Sequence, residues 1–235
     1  MEADLFFQRI VLLANSRKYS GRCLAGICLS ESNYGMWIRP VSDRDREALS
    51  EFERLYVNKA EPAVLDIVDV PLIRPNPHSC QVENWLISDS RHFRKVGELS
   101  WSDALHLAEH RESLWLNGWR TYLGINDEIP TEYAQNLPNS ICLIHVSALD
   151  LHVTKNYTGD NIKIYASFIF NEVTYKLSVT DSVCEDWCRN NGLGEYSTGE
   201  CLLTISLSEP FIKNNGNSCQ YKLVAAIIQK PEGEM

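Results

Sequence analysis

The sequence predicts a mainly β chain made of two small antiparallel barrels with a helical, tryptophan-rich insert between them. Three observations carry this. Short apolar runs of strand length recur five times in about the first ninety residues and five times after residue 139. Turn chemistry separates them: Ser30 to Gly35, the Arg74-Pro75-Asn76-Pro77 break, and Asn171-Glu172. The stretch between loses the strand signal and gains tryptophan. The expected boundaries are 1–92, 93–138 and 139–235.

In the first part, Gln8 to Ala14 is a continuous apolar run, as a strand buried on both faces requires. Arg22 to Leu29 follows, with Ala25 and Gly26 at its middle, where a bend or a close backbone approach is expected. Met36 to Val41 is the third strand. Ser42 to Asn58 is charged and reads as a loop with a short helical turn. Val64 to Ile73 and Gln81 to Ile87 complete five strands, the count of an OB-type barrel.

In the insert, Trp101, Ala104, Leu105 and Ala108 fall at i, i+3, i+4 and i+7, one face of a short helix capped by Ser100 or Ser102. Leu114-Trp115-Leu116, Trp119 and Tyr122 form an aromatic-rich irregular segment expected to pack over a barrel end. The strand signals then return at Ile141–Val153, Lys163–Phe170, Thr174–Thr180, Cys201–Leu207 and Tyr221–Gln229. Asp181 caps a helix running through Arg189, which places Cys184, Trp187 and Cys188 on adjacent turns. The expected architecture is two OB-like barrels, although no sequence-level repeat is visible.

At 235 residues, 44% hydrophobic and 23% charged, the chain has room for one large or two small domains. Its net charge of −9 argues against coating duplex DNA, which draws affinity from many phosphate contacts. Any nucleic-acid contact has to be local. The eight cysteines include no Cys-x-x-Cys pair and read as buried thiols of a reducing compartment. No apolar run approaches the length of a membrane span, so the expected location is cytoplasmic, with no membrane partner.

The stretch Asn15 to Val41 holds the candidate site. Between Asp4 and Glu31 stand Arg9, Arg17, Lys18 and Arg22 without a carboxylate, a sign reversal that points to an anionic ligand. Backbone amides around Gly21 add donors there. The alternative is a solvated hairpin loop. Trp37 and Arg39 alternate onto one strand face and would make a stacking platform for a base. Equally, Trp37 can be core and Arg39 paired internally, for instance with Glu83. Gln81 and Glu83 share a strand face and suit a base edge or ribose hydroxyls, or else they satisfy Arg39. The candidate ligand-binding set is Asn15, Arg17, Lys18, Arg22, Trp37, Arg39, Gln81 and Glu83.

Enzyme-like patterns are sparse. His106-Leu107-Ala108-Glu109-His110 matches the H-x-x-E-H spacing of inverted zinc peptidases, in which two His one helical turn apart chelate zinc and the Glu activates water. Here both His lie opposite Trp101 and Leu105, toward solvent, and no further acidic ligand presents itself. Cys184-x-x-x-Cys188 also has helical metal-ligand spacing, but it lacks further ligands and fits core packing better. Cys23 lies in the field of Arg17, Lys18 and Arg22, and its neighbours Leu24 and Ala25 favour a structural thiol over a nucleophile. No metal and no cofactor are expected.

Asn15-Ser16-Arg17-Lys18 with Gly21-Arg22-Cys23-Leu24-Ala25-Gly26, then Trp37-Ile38-Arg39-Pro40-Val41, Gln81-Val82-Glu83-Asn84, Tyr175 with Thr180-Asp181, and Tyr221-Lys222-Leu223-Val224-Ala225-Ala226 resemble the dual OB-containing domain of prokaryotes. The resemblance implies two OB-like barrels and a role in nucleic-acid or nucleotide recognition, often in antiviral defence. It carries over no catalytic residue. The expected function is a non-enzymatic module whose partner is single-stranded nucleic acid or a nucleotide. The alternative is a subunit that binds a partner protein through its acidic second half and Trp-rich insert. A third reading is a zinc-dependent hydrolase built on His106, Glu109 and His110.

Overall fold

β1 (Phe6–Lys18) is long enough to belong to two ladders at once. In the computed structural model, which describes residues 5–156, 159, 161–231 and 233, its first half pairs with β4 (Asp66–Pro75), from Phe6 against Leu72 to Val11 against Ile67. Its second half pairs with β2 (Gly21–Cys28), from Ile10 against Cys28 to Lys18 against Gly21. The ladder slips between Leu12 and Ala14. Such a bulge bends a strand, and here it lets one strand serve two neighbours. A Cβ at Gly26 would fall 2.1 Å from the Val11 carbonyl oxygen, so the close backbone approach expected at this position is present.

β2 continues antiparallel to β3 (Trp37–Val41), β3 runs parallel to β5 (Asn84–Ile87), and β5 is antiparallel to β4. The order β1-β2-β3-β5-β4 therefore returns to β1 and closes a five-stranded barrel. Ile10, Leu12, Leu24, Ile38, Val68, Val70, Leu72 and Ile87 fill it, and Leu49 and Phe93 belong to the same buried cluster. The loop between β3 and β4 holds α1 (Glu51–Arg54), set by a reciprocal Ser50/Glu53 capping box. β6 (Arg94–Glu98) adds to β4, and α2 (Trp101–Leu105) starts at the Ser100 cap and buries Trp101 and Ala104. These elements make up the first of two units, Met1–Leu107; the second is Ala108–Met235.

The second unit opens with an irregular segment, β7 (Glu128–Pro130) and α3 (Thr131–Ala134). Then come β8 (Ile141–Val146), β9 (Leu149–Lys155), β10 (Ile162–Phe170) and β11 (Val173–Val179). Asn171 and Glu172 form the β10–β11 turn with φ of 46° and 64°, the left-handed pair a two-residue hairpin needs, made here without glycine. α4 (Ser182–Asn191) follows, N-capped by Asp181, then β12 (Gly194–Thr198), β13 (Cys201–Leu207), β14 (Phe211–Ile212) and β15 (Ser218–Gln229).

The sheet order β12-β9-β10-β11-β15-β13-β8 repeats the logic of the first unit. β8 and β9 are one stretch interrupted at Ser147-Ala148; β8 pairs with β13 and β9 with β10, the double duty of β1. β11 and β15 supply the parallel pair. The single strand expected over Ile141 to Val153 is thus two. Phe168 stacks on Tyr175 at 5.5 Å inside, among buried Leu151, Ala166, Leu177, Leu203 and Val224.

The insert expected over 93–138 is not a helical body. Its first part, β6 and α2, belongs to the first unit and the rest to the second, where α3 is a single four-residue turn. Residues 108–127 follow an irregular path fastened by side chains. Tyr175 Oη accepts from Leu114 N at 3.1 Å and Asn117 Nδ2 at 3.0 Å, and Asn171 Nδ2 donates to the Arg111 carbonyl. Asp127 accepts from Thr121 N and Oγ1 at 2.8 and 2.6 Å. Trp115 is buried and donates through Nε1 to Asn139 Oδ1 at 2.8 Å.

Candidate functional site

Lys18 pairs with Gly21, leaving Tyr19 and Ser20 as the two turn residues of the β1–β2 hairpin. Tyr19 has φ 53°, a left-handed conformation that is costly for an aromatic residue, and the residue is 54% exposed. Behind the turn Arg17 and Arg22 stand directly opposite each other. Arg22 also exchanges both backbone hydrogen bonds with Leu49 at 2.9 Å, which draws the loop 42–49 alongside the hairpin. The approach is close enough that a Cβ on Gly21 would lie 2.5 Å from the Leu49 carbonyl oxygen, so glycine is required there.

That loop brings two further cations. Arg46, itself at φ 66°, lies with its guanidinium 4.5 Å above the Tyr19 ring. Arg44 is held by the Ala48 carbonyl at 2.7 Å and by Glu53 Oε2. The hairpin end and the loop beside it therefore carry Arg17, Lys18, Arg22, Arg44 and Arg46, with Arg46 seated over the exposed Tyr19 ring. Glu61 answers them from the side: burial pushes its carboxyl up, but Arg54 Nε at 2.6 Å, Asn15 and the field of Arg22 outweigh that and hold it below the usual carboxylate range. Tyr19, Arg44 and Arg46 escape a reading of the sequence because nothing local joins residue 19 to residue 46.

The other expected members are placed differently. Trp37 is half-buried and sits in register with Ile27, five positions along β2 from Arg22, about 17 Å at the rise of a strand. It does not share the hairpin end. Arg39 is 2% exposed, with Nη1 on Asn84 Oδ1 at 3.2 Å and its backbone N–H on the Glu83 carbonyl at 2.8 Å. Asn84 Nδ2 in turn donates to Gln81 Oε1 at 3.3 Å and Glu47 Oε2 at 3.4 Å. Gln81 and Glu83 are buried as well. The exposed Trp37/Arg39 platform is replaced by an internal network: a buried guanidinium needs acceptors, and Asn84 on the neighbouring strand supplies one. Asn15 is likewise structural, with Nδ2 on the Pro62 carbonyl at 2.7 Å and on Glu61. Arg17, Lys18 and Arg22 are the members of the expected set that the fold brings together in reach of solvent.

The peptidase-like pattern loses its geometry. α2 ends at Leu105 with His106 as its cap, so His106 and His110 do not stand on one helical face. Glu109 is engaged by Arg111 Nη1 at 3.2 Å and by the backbone of Leu143. Among the described residues no group of three or more His, Cys, Asp or Glu is placed to hold a metal ion. All eight cysteines are free thiols, Cys23 and Cys184 half-buried and the others buried; burial pushes Cys28 and Cys201 up to about 11 and Cys142 up to about 12. No helix among the described residues is long and apolar enough to cross a membrane.

A closed barrel of order β1-β2-β3-β5-β4, followed by a second sheet built on the same scheme, defines a protein of paired OB-type barrels. The chain belongs to the family of the dual OB-containing domain, whose model matches residues 8–227. No curated protein and no solved structure matches it.

Proposed function

We propose that the first unit recognises single-stranded nucleic acid or a nucleotide, with the β1–β2 end as its contact surface. One observation carries the reading: Arg46, from a loop 27 positions away from Tyr19 in the sequence, is stacked on that exposed ring at the tip of a hairpin flanked by Arg17, Lys18 and Arg22. OB-type barrels engage oligonucleotides through the loop joining their first two strands. Here that loop offers positive charge for phosphates and an aromatic face for a base, the two contributions single-strand binding combines. Tyr19 and Arg46 both stand in the left-handed backbone region, and such strain concentrates at ligand-contacting segments. A net charge of −9 is compatible with this because the basic cluster is confined to one end.

The test is fluorescence anisotropy with a labelled single-stranded oligonucleotide of about 16 nucleotides over a salt series. Lys18→Ala/Arg22→Ala should weaken binding and reduce the salt slope by about one unit per lost phosphate contact. Unchanged affinity and slope in a stably folded double variant would remove the basis of the proposal. Absence of binding by the parent protein at low ionic strength, with a protein partner co-purifying, would favour the interaction-subunit alternative.

A further inference from the structure

The second unit has a cleft of about 720 Å³ between α4, β12 and the C-terminal end of β15. That volume falls in the range of small-molecule sites. The loop between β13 and β15 lies at the other end of β15, so the cleft is separate from that rim of the sheet.

Its walls are aromatic and aliphatic. Trp187 on α4 is 46% exposed and meets Tyr196 edge to face at 4.9 Å. Tyr196 is fixed by its hydroxyl, which donates to the Asn191 and Gly192 carbonyls at 2.8 and 3.1 Å. Val183 and Ile227 extend the apolar surface. A fixed ring bracing a half-exposed indole is a ready stacking surface for a planar ligand.

The charged groups lining the cleft are engaged within the protein. Asp181 accepts three backbone N–H groups, from Val183 at 2.8 Å, Cys184 at 3.2 Å and Ile227 at 2.8 Å. Glu200 is shared between Lys230 Nζ and His145 Nε2, each at 2.9 Å. Beside these engaged groups a ligand meets an aromatic face and an uncharged polar edge. The edge is supplied by Gln229, an exposed carboxamide lining the cleft at the end of β15. A planar donor–acceptor pair of this kind matches the N6/N7 edge of adenine.

We propose that this cleft is a base-binding site for an adenine nucleoside, with the base stacked on Trp187 and its N6/N7 edge paired with Gln229. The site differs in kind from the basic hairpin of the first unit, because its ligand contact is uncharged and needs no phosphate.

The experiment is calorimetric titration of the full chain with adenosine, repeated with uridine and at two salt concentrations. Adenosine should bind in a 1:1 ratio, insensitive to salt and about tenfold or more in preference to uridine. Trp187→Ala should abolish binding, and Gln229→Ala should weaken it about tenfold and erase the base preference. Gln229 is exposed, so its variant reads recognition even if the Trp187 variant disturbs α4. No adenosine binding at millimolar concentration, or binding unchanged in both variants, overturns the proposal. Failure here leaves oligonucleotide binding by the first unit intact, since that is read in the Lys18/Arg22 salt slope, which adenosine does not probe.

Discussion

The ammonium of Lys222 lies 5.4 Å from the centre of the Tyr175 ring, and the two side chains share Asn117: Lys222 Nζ donates to Asn117 Oδ1 at 2.9 Å while Asn117 Nδ2 donates to Tyr175 Oη at 3.0 Å. Both Lys222 and Tyr175 are fully buried. With a further bond from Nζ to the Leu116 carbonyl at 2.7 Å, this pair fastens the irregular segment 114–117 to the sheet of the second unit. A buried cation does this work at a cost: burial draws Lys222 down to about 7, against the opposing charge of Asp127.

Lys222 makes stability pH-dependent with a defined sign. Its folded pKa of about 7 lies below the ordinary lysine value near 10.4, so between the two the unfolded chain holds a proton that the folded chain lacks. Stability therefore rises with pH from about 7 upward, by up to ~1.4 kcal/mol per unit. The thiols of Cys142 and Cys201, pushed up by burial, act oppositely once pH exceeds their ordinary value of about 8.5. The interval from pH 7 to 8 is thus the one to measure, by urea unfolding. Lys222→Met should flatten the rise, and an identical slope in parent and variant would assign it elsewhere.

Tyr19→Gly separates binding from folding in the first unit. Relief of the left-handed backbone, about 1 kcal/mol, offsets loss of the Arg46 contact, about 0.5–1 kcal/mol, so the melting temperature should barely move. Oligonucleotide affinity should fall by roughly 1–3 kcal/mol with the salt slope nearly intact. Arg46→Ala should instead lower both affinity and slope.

Arg39→Ala should act on stability. Removing the guanidinium leaves Asn84 Oδ1 without its donor inside the barrel wall, at a cost of about 3 kcal/mol in thermal or urea unfolding. Lost oligonucleotide affinity in a variant as stable as the parent would place Arg39 in the ligand contact instead.

Gly26→Ala should disrupt the first barrel. The added carbon would meet the Val11 carbonyl oxygen at 2.1 Å beside the β1 bulge, with backbone rather than a movable side chain in the way. A loss of about 3 kcal/mol is expected, read as a lower denaturant midpoint.

What the sequence determined by itself was carried by local signals. The apolar runs marked the five barrel strands of the first unit, Asp181 marked the start of α4, Gly26 marked a close approach, and Asn171-Glu172 marked a hairpin turn. The strands β6 and β12 were not legible: Arg94–Glu98 and Gly194–Thr198 are polar, lie at the margins of their sheets, and are held by ladder hydrogen bonds without burying an apolar face. Hydrophobic periodicity has nothing to register there. The basic hairpin was legible as charge, but its ring was not. The Arg22–Leu49 bridge, and with it the seat of Arg46 over Tyr19, exists only once the loop 42–49 is folded against β2. Tertiary structure likewise decided Arg39 and Trp37. A strand's alternation says which residues share a face, but what packs against that face decides whether it meets solvent, and on the side opposite Ile38 the network of Asn84, Gln81 and Glu47 covers Arg39.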